Sequence, residues 1–131
     1  SAFCRLLLIV LRGSTPRVRF SCYERRRIPM SITVVWDTWL RPGAEAEGLR
    51  LTRQVWSDMR RFEGFLSHQI LIDQNEPGHI ITLARWRRLA DADAVREKYK
   101  DSETIRRLTP LLARPRDRWI TQEDEPAMGP R

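Results

Sequence analysis

From Ile32 to Leu40 the sequence reads ITVVWDTWL, and large apolar side chains occupy both of its alternating sets. Val34, Trp36 and Leu40 fall on one side of a strand, Val35 and Trp39 on the other. His79 to Trp86 (HIITLARW) repeats the pattern, with Ile80 and Trp86 opposite Ile81 and Leu83. A strand that meets helices on one face and water on the other alternates apolar with polar residues. These two do not, so their sheet must be covered on both faces.

The segments between them set the architecture. Glu45 to Arg61 carries Leu49, Leu51, Val55, Trp56 and Met59, followed by Phe62, at spacings that make one helical face. Arg41-Pro42-Gly43 before it is turn chemistry, and Gly64 ends it. Phe65 to Asp73 (FLSHQILID) reads as a second strand, joined to the third by the turn formers Gln74 to Gly78. Two helical stretches follow, Ala90–Tyr99 and Ser102–Leu112, and Pro115–Thr121 is a last strand. The order β-α-β-β-α-β predicts a ferredoxin-like α+β sandwich, an antiparallel sheet with its helices on one face. No further helix remains to cover the other face. The economical cover is a second copy of the same sheet, so a homodimer is expected.

Charge divides the chain. Residues 1–29 contain seven arginines against Glu24 alone, a net of +6, which leaves +1 of the total +7 for residues 30–131. The chain therefore divides into a basic extension (1–29), a nearly neutral domain (30–121) and a polar tail (122–131). A nucleic-acid partner could rest only on the extension, and none is expected for the domain. Three readings of the extension stay open: an upstream start choice ahead of a natural start at Met30, an Arg-rich targeting segment without a clean amphipathic helix, or an arm in which Arg17–Tyr23 adds an edge strand. The longest apolar run, Leu6 to Leu11, is far short of the roughly 20 residues that span a bilayer, so no membrane association is expected. Both cysteines, Cys4 and Cys22, lie in the extension. Thiolate chemistry is thereby absent from the domain, and a reducing, cytoplasmic compartment is the default expectation.

The segments GFLSHQILID and HIITLARW, the second ending in Arg85-Trp86 ahead of a helix, resemble the antibiotic biosynthesis monooxygenase family over Ile32–Thr121. The resemblance implies a dimeric α+β barrel, two ferredoxin-like chains joined sheet to sheet, in agreement with the two-sided strands. It also implies oxygenation of a small aromatic, hydroquinone or polyketide-like substrate by O₂ without metal, flavin or other cofactor. In such chemistry the deprotonated substrate reduces O₂, and the protein supplies a dry pocket, orientation and a base. The sequence departs from the family at Ala84, where an acid is common, and in Ser102–Ile105, which lacks a histidine. Haem degradation is disfavoured by that missing histidine and by the absence of Asn from strand one. A non-catalytic small-molecule binding or stress-response protein on the same fold is the alternative.

Three residues are the catalytic candidates. A hairpin closed symmetrically around Glu76 pairs Asp73 with His79 and His68 with Ala84, which puts His68 on the face of Trp86. An imidazole titrating near neutrality can take a phenolic proton, so His68 is the preferred general base, with a packing or solvent-facing edge histidine as the plain reading. Trp86 matches the family's recurring tryptophan and is expected to line its cavity. Asp37 is an acid in an apolar strand, a second base if burial raises its pKa, or else the partner of an arginine on strand three or four. Trp36 and Trp56 could floor an aromatic site, with ordinary core packing the favoured reading, and Phe65 is a further substrate-binding candidate. Arg85 could stabilise a phenolate or superoxide, or simply form a surface salt bridge. Tyr99 could hydrogen-bond a substrate oxygen from its helix. No metal site is expected, since His68 and His79 stand about 17 Å apart along the ladder.

Other chemistries lack their devices. There is no Gly-rich phosphate or dinucleotide loop and no serine elbow with a base to match. The strand HIITLAR offers aliphatic residues where an RNA-binding sheet of the same order needs exposed aromatics.

Overall fold

The computed structural model describes residues 31–130. The expectations for the basic extension, Met30 included, lie outside the described residues. Within them the chain forms β1 (Ile32–Trp39), α1 (Glu45–Met59), β2 (Phe65–Ile72), β3 (His79–Trp86), α2 (Leu89–Tyr99), α3 (Glu103–Leu108), a 3-10 turn (Thr109–Leu111) and β4 (Asp117–Thr121). The strands make one antiparallel sheet in the order β2-β3-β1-β4. This is the ferredoxin-like α+β architecture expected.

Register distributes the side chains between two faces. Val34 pairs with Ala84 and Trp36 with Thr82, and Ile32, Val34, Ile80, Thr82, Ala84 and Trp86 are all buried. Leu51, Val55, Trp56 and Met59 of α1, Ala92, Val95 and Tyr99 of α2, and Leu108 of α3 complete this core. The hairpin closes as expected, with His68 opposite Ala84 and the Asp73 amide donating to the His79 carbonyl at 3.1 Å. The other face carries Val35 between Trp119 and Leu83, and Asp37 between Asp117 and Ile81. No element among the described residues covers it: Trp119 is half exposed, and Leu71, opposite Ile81, is exposed as well.

The boundaries differ from expectation where backbone chemistry intervenes. α1 ends at Met59, so Arg60 and Arg61 belong to the turn into Gly64 and not to the last helical turn. Gly64 has φ +89°, and a Cβ there would meet the Asp91 side chain. Only glycine enters that conformation without strain. The second helical stretch is shorter than Ser102–Leu112. Ser102 does cap it, accepting from the Ile105 amide at 3.2 Å, but Pro110 has no amide to continue the ladder, and Thr109–Leu111 tightens into a 3-10 turn. β4 begins at Asp117, two residues after Pro115.

A bulge at the start of β2 is the feature the sequence pattern does not show. Phe65 pairs with Trp86 and Ser67 with Arg85, so Leu66 is the extra residue. Strict alternation would put Phe65 and His68 on opposite faces. The bulge turns Phe65 to the helix side, where its ring meets Trp86 edge-on at 5.3 Å. No helix among the described residues is long and apolar enough to cross a membrane.

Candidate functional site

A cavity of about 360 Å³ lies between the helix face of the sheet and the helices. Its size falls within the roughly 300–1,000 Å³ typical of small-molecule sites. Each wall follows from the register. β1 contributes Val34 and Trp36, β3 contributes Trp86, α1 contributes Val55, Trp56 and Met59, and α2 contributes Val95 and Tyr99. Three indoles and a phenol thus surround an otherwise aliphatic space. The Tyr99 hydroxyl donates to Asp58 Oδ2 on α1 at 2.6 Å. Burial and this bond to a carboxylate hold its pKa above the usual phenol value, so Tyr99 stays protonated and keeps an acceptor lone pair for a ligand.

The rim is cationic. Arg96 on α2, Arg116 ahead of β4 and Arg118 within it all line the cavity, with Lys100 just beyond α2. Arg96, Arg116 and Arg118 place their guanidinium carbons 6.0, 4.7 and 5.7 Å from the centroid of the Trp36 ring. Among the described residues no carboxylate lines the space. Arg118 is tied by Asp93 at 2.7 Å and Lys100 by Glu97 at 2.6 Å, both acids lying outside the lining. Burial, and then the neighbouring charge of Arg96, pull the Arg116 pKa below its ordinary value.

Four of the eight residues singled out from the sequence, Trp36, Trp56, Trp86 and Tyr99, come together around this cavity. The other four lie elsewhere. His68 is on the expected face but outside the cavity: it is exposed at the edge strand, and its ring stacks on Trp56 at 6.1 Å, so the indole stands between it and the space. Partial burial and the charge of Arg60 hold its pKa below the normal imidazole value. Phe65 packs between His68 and Trp86 without reaching the lining. Arg85 belongs to the opposite face and bonds Ser31 and Glu123 at the surface, as its plain reading had it.

Asp37 also belongs to the opposite face, and its partner is a histidine where an arginine was expected. The His79 Nε2 contacts Asp37 Oδ1, and His79 Nδ1 lies 2.7 Å from Asp73 Oδ2. Trp39 stacks flat on the imidazole at 3.8 Å and donates its indole N–H to Asp37 Oδ2 at 3.1 Å. The Arg114 guanidinium lies 4.4 Å over the same indole. A neutral imidazole has one donor, so two facing carboxylates select the doubly protonated ring. Burial opposes that charge, yet the bonds to Asp73 and Asp37 prevail, and the His79 pKa is raised. The bond from His79 in turn holds Asp73 below the usual carboxylate value. The hairpin register pairs Asp73 with His79, but Asp37 joins them only through the β1–β3 register, which no local pattern reveals.

Solved structures similar to this chain include an antibiotic biosynthesis monooxygenase, 22% identical over 72% of this chain and 99% of that one, with a TM-score of 0.57. SnoaB, a cofactor-independent oxygenase from Streptomyces nogalater, is 16% identical over 75% and 99% of the two chains, with a TM-score of 0.63. Rv0793 from Mycobacterium tuberculosis is 18% identical over 75% and 99%, with a TM-score of 0.60. At these identities the likeness establishes the fold. No curated protein matches. The model of the antibiotic biosynthesis monooxygenase family matches residues 31–106, which runs from the start of the sheet through β3 and α2, the elements that carry the cavity's tryptophans and Tyr99. The chain belongs to the antibiotic biosynthesis monooxygenase family.

Proposed function

We propose that this protein is a cofactor-independent monooxygenase that oxidises a small hydroquinone- or anthrone-like aromatic with O₂, acting as a homodimer joined through the sheet face opposite the helices. The observation that carries the reading is the cavity walled by Trp36, Trp56, Trp86 and Tyr99 in a chain of this family. Indole walls exclude water and match a flat aromatic face. The Tyr99 oxygen, its own proton committed to Asp58, accepts the hydrogen bond of a substrate hydroxyl and fixes which ring position meets O₂. The substrate, once its hydroxyl has lost a proton to water at the cavity mouth, is the reductant, so the protein's part is orientation and dryness.

The placement of His68 behind Trp56 favours a second reading, a binding protein on the same fold, because the one neutral imidazole near the cavity does not open into it. O₂ uptake with a panel of hydroquinones and anthrones separates the two. The enzyme reading expects uptake well above spontaneous oxidation, reduced about tenfold or more in Tyr99→Phe. Saturable binding with no enzyme-dependent uptake from any panel member would discard it in favour of the binding protein.

A further inference from the structure

Three guanidinium groups around one indole are an arrangement that folding alone does not favour. Arg96, Arg116 and Arg118 repel one another, and among the described residues only Asp93, on Arg118, answers their charge with an ion pair. The Arg118 Nε is shut off from solvent and has no hydrogen-bond partner. A buried unpaired donor costs stability, and like charges packed beside it add a cost that an incoming anion would offset. Attraction to the Trp36 ring offsets part of the repulsion, but a π face accepts no directed hydrogen bond from all three forks.

We propose that the ligand of this cavity is an aromatic carboxylate, its ring held between the tryptophans and its carboxylate seated on the guanidinium groups of Arg96, Arg116 and Arg118 beside Trp36. The inference rests on the cavity being the substrate site proposed above, and it adds the charge that the substrate must carry. The geometry is bipartite. Apolar walls receive the ring, while planar guanidinium forks at one end suit a planar carboxylate, which can accept two parallel N–H bonds from a single arginine. An anion there also answers the charge of Arg96 and Arg116, which line the space and have no ion pair among the described residues. Lys100 also lines the space, but Glu97 answers its charge at 2.6 Å, so among the described residues the unpaired positive charge rests on Arg96 and Arg116.

The test uses the full chain with two probes of nearly equal shape, 2-naphthoate and its methyl ester, and reads binding by calorimetry and tryptophan fluorescence at pH 7. 2-Naphthoate is expected to bind about tenfold tighter than the ester, equivalent to about 1.4 kcal/mol. Its affinity alone should fall as salt rises from low to physiological ionic strength. Arg96→Gln and Arg116→Gln should each weaken 2-naphthoate about fivefold or more while leaving the ester within about twofold. Lys98→Gln, which removes an exposed charge from the same helix, should change neither. Thermal melts identify a variant that fails to fold, and the other arginine variant with the wild-type salt dependence then decides. Equal or tighter binding of the ester overturns the proposal, as does no binding of 2-naphthoate, an equal loss of both probes in the arginine variants, or the same loss in Lys98→Gln. O₂ uptake keeps the two claims apart. Turnover of neutral hydroquinones with no preference for a carboxylated one sinks the anion site and leaves the oxygenase standing, whereas Arg-dependent binding without any turnover does the reverse.

Discussion

Raising the pH through the titration of His79 should loosen the fold by a measurable step. The imidazolium donates to Asp37 and Asp73 at once, and the three side chains are only 13%, 12% and 24% exposed. Its folded pKa is raised above the unfolded value of about 6.5, so its contribution is fully present below that pH and is lost as pH climbs through the raised folded value. Asp73 runs the other way: its pKa is lowered, so its share is present above the unfolded carboxylate value and lost as pH falls through the folded one. The cluster therefore stabilises most between about pH 4 and 6.5. On deprotonation one of the two bonds becomes a lone pair facing a carboxylate. A charge-assisted hydrogen bond contributes about 1.5–3 kcal/mol, and the partial exposure argues for the lower end. The assay is chemical unfolding of the wild type and His79→Gln at pH 5.5, 7.0 and 8.5, at one protein concentration. The wild-type advantage should shrink by about 1.5 kcal/mol across that range, or about 6–12 °C in Tm for a domain of this size. His68, whose pKa is lowered, titrates in both proteins and cancels in the difference. An advantage that stays flat, or grows, with rising pH refutes the reasoning.

Two further outcomes follow from the core and from the sheet face opposite the helices. Leu108 is 2% exposed where α3 packs on the core, so Leu108→Ala should cost about 2–5 kcal/mol in an unfolding titration, with the spread set by how far the neighbours collapse. Leu83 sits in the row Trp119-Val35-Leu83-Gln69, on the face that no described element covers and away from that core. Leu83→Glu should therefore give a folded monomer where the wild type sediments as a dimer, and a wild type that sediments as a monomer would defeat the sheet-to-sheet pairing.

What could be read from the sequence was whatever depended on local period and on one turn. The hairpin register followed from the symmetric loop around Glu76, and the two-sided character of β1 and β3 followed from alternation alone. The cavity's tryptophans were legible because each sits on a well-patterned element. The guanidinium cluster was not, because Arg96 and Arg116 meet only through the packing of α2 over the approach to β4. His68 was read on the correct face yet in the wrong place, since its distance from the cavity depends on where α1 sets Trp56. The bulge at Phe65 left no mark in composition, and Pro110, which did leave one, competes with a helical pattern that continues to Leu112.

β1 has a consequence for how this protein can vary. Trp36 faces the cavity while its neighbour Asp37 holds His79 on the opposite side, so consecutive residues serve two separate surfaces. Such a strand has no tolerant side. A single insertion or deletion within Ile32–Trp39 would exchange both sets together, placing a carboxylate among the tryptophans and an indole outside. Lineages of this chain should therefore drift by substitution along the largely exposed β2, while β1 changes in length hardly at all.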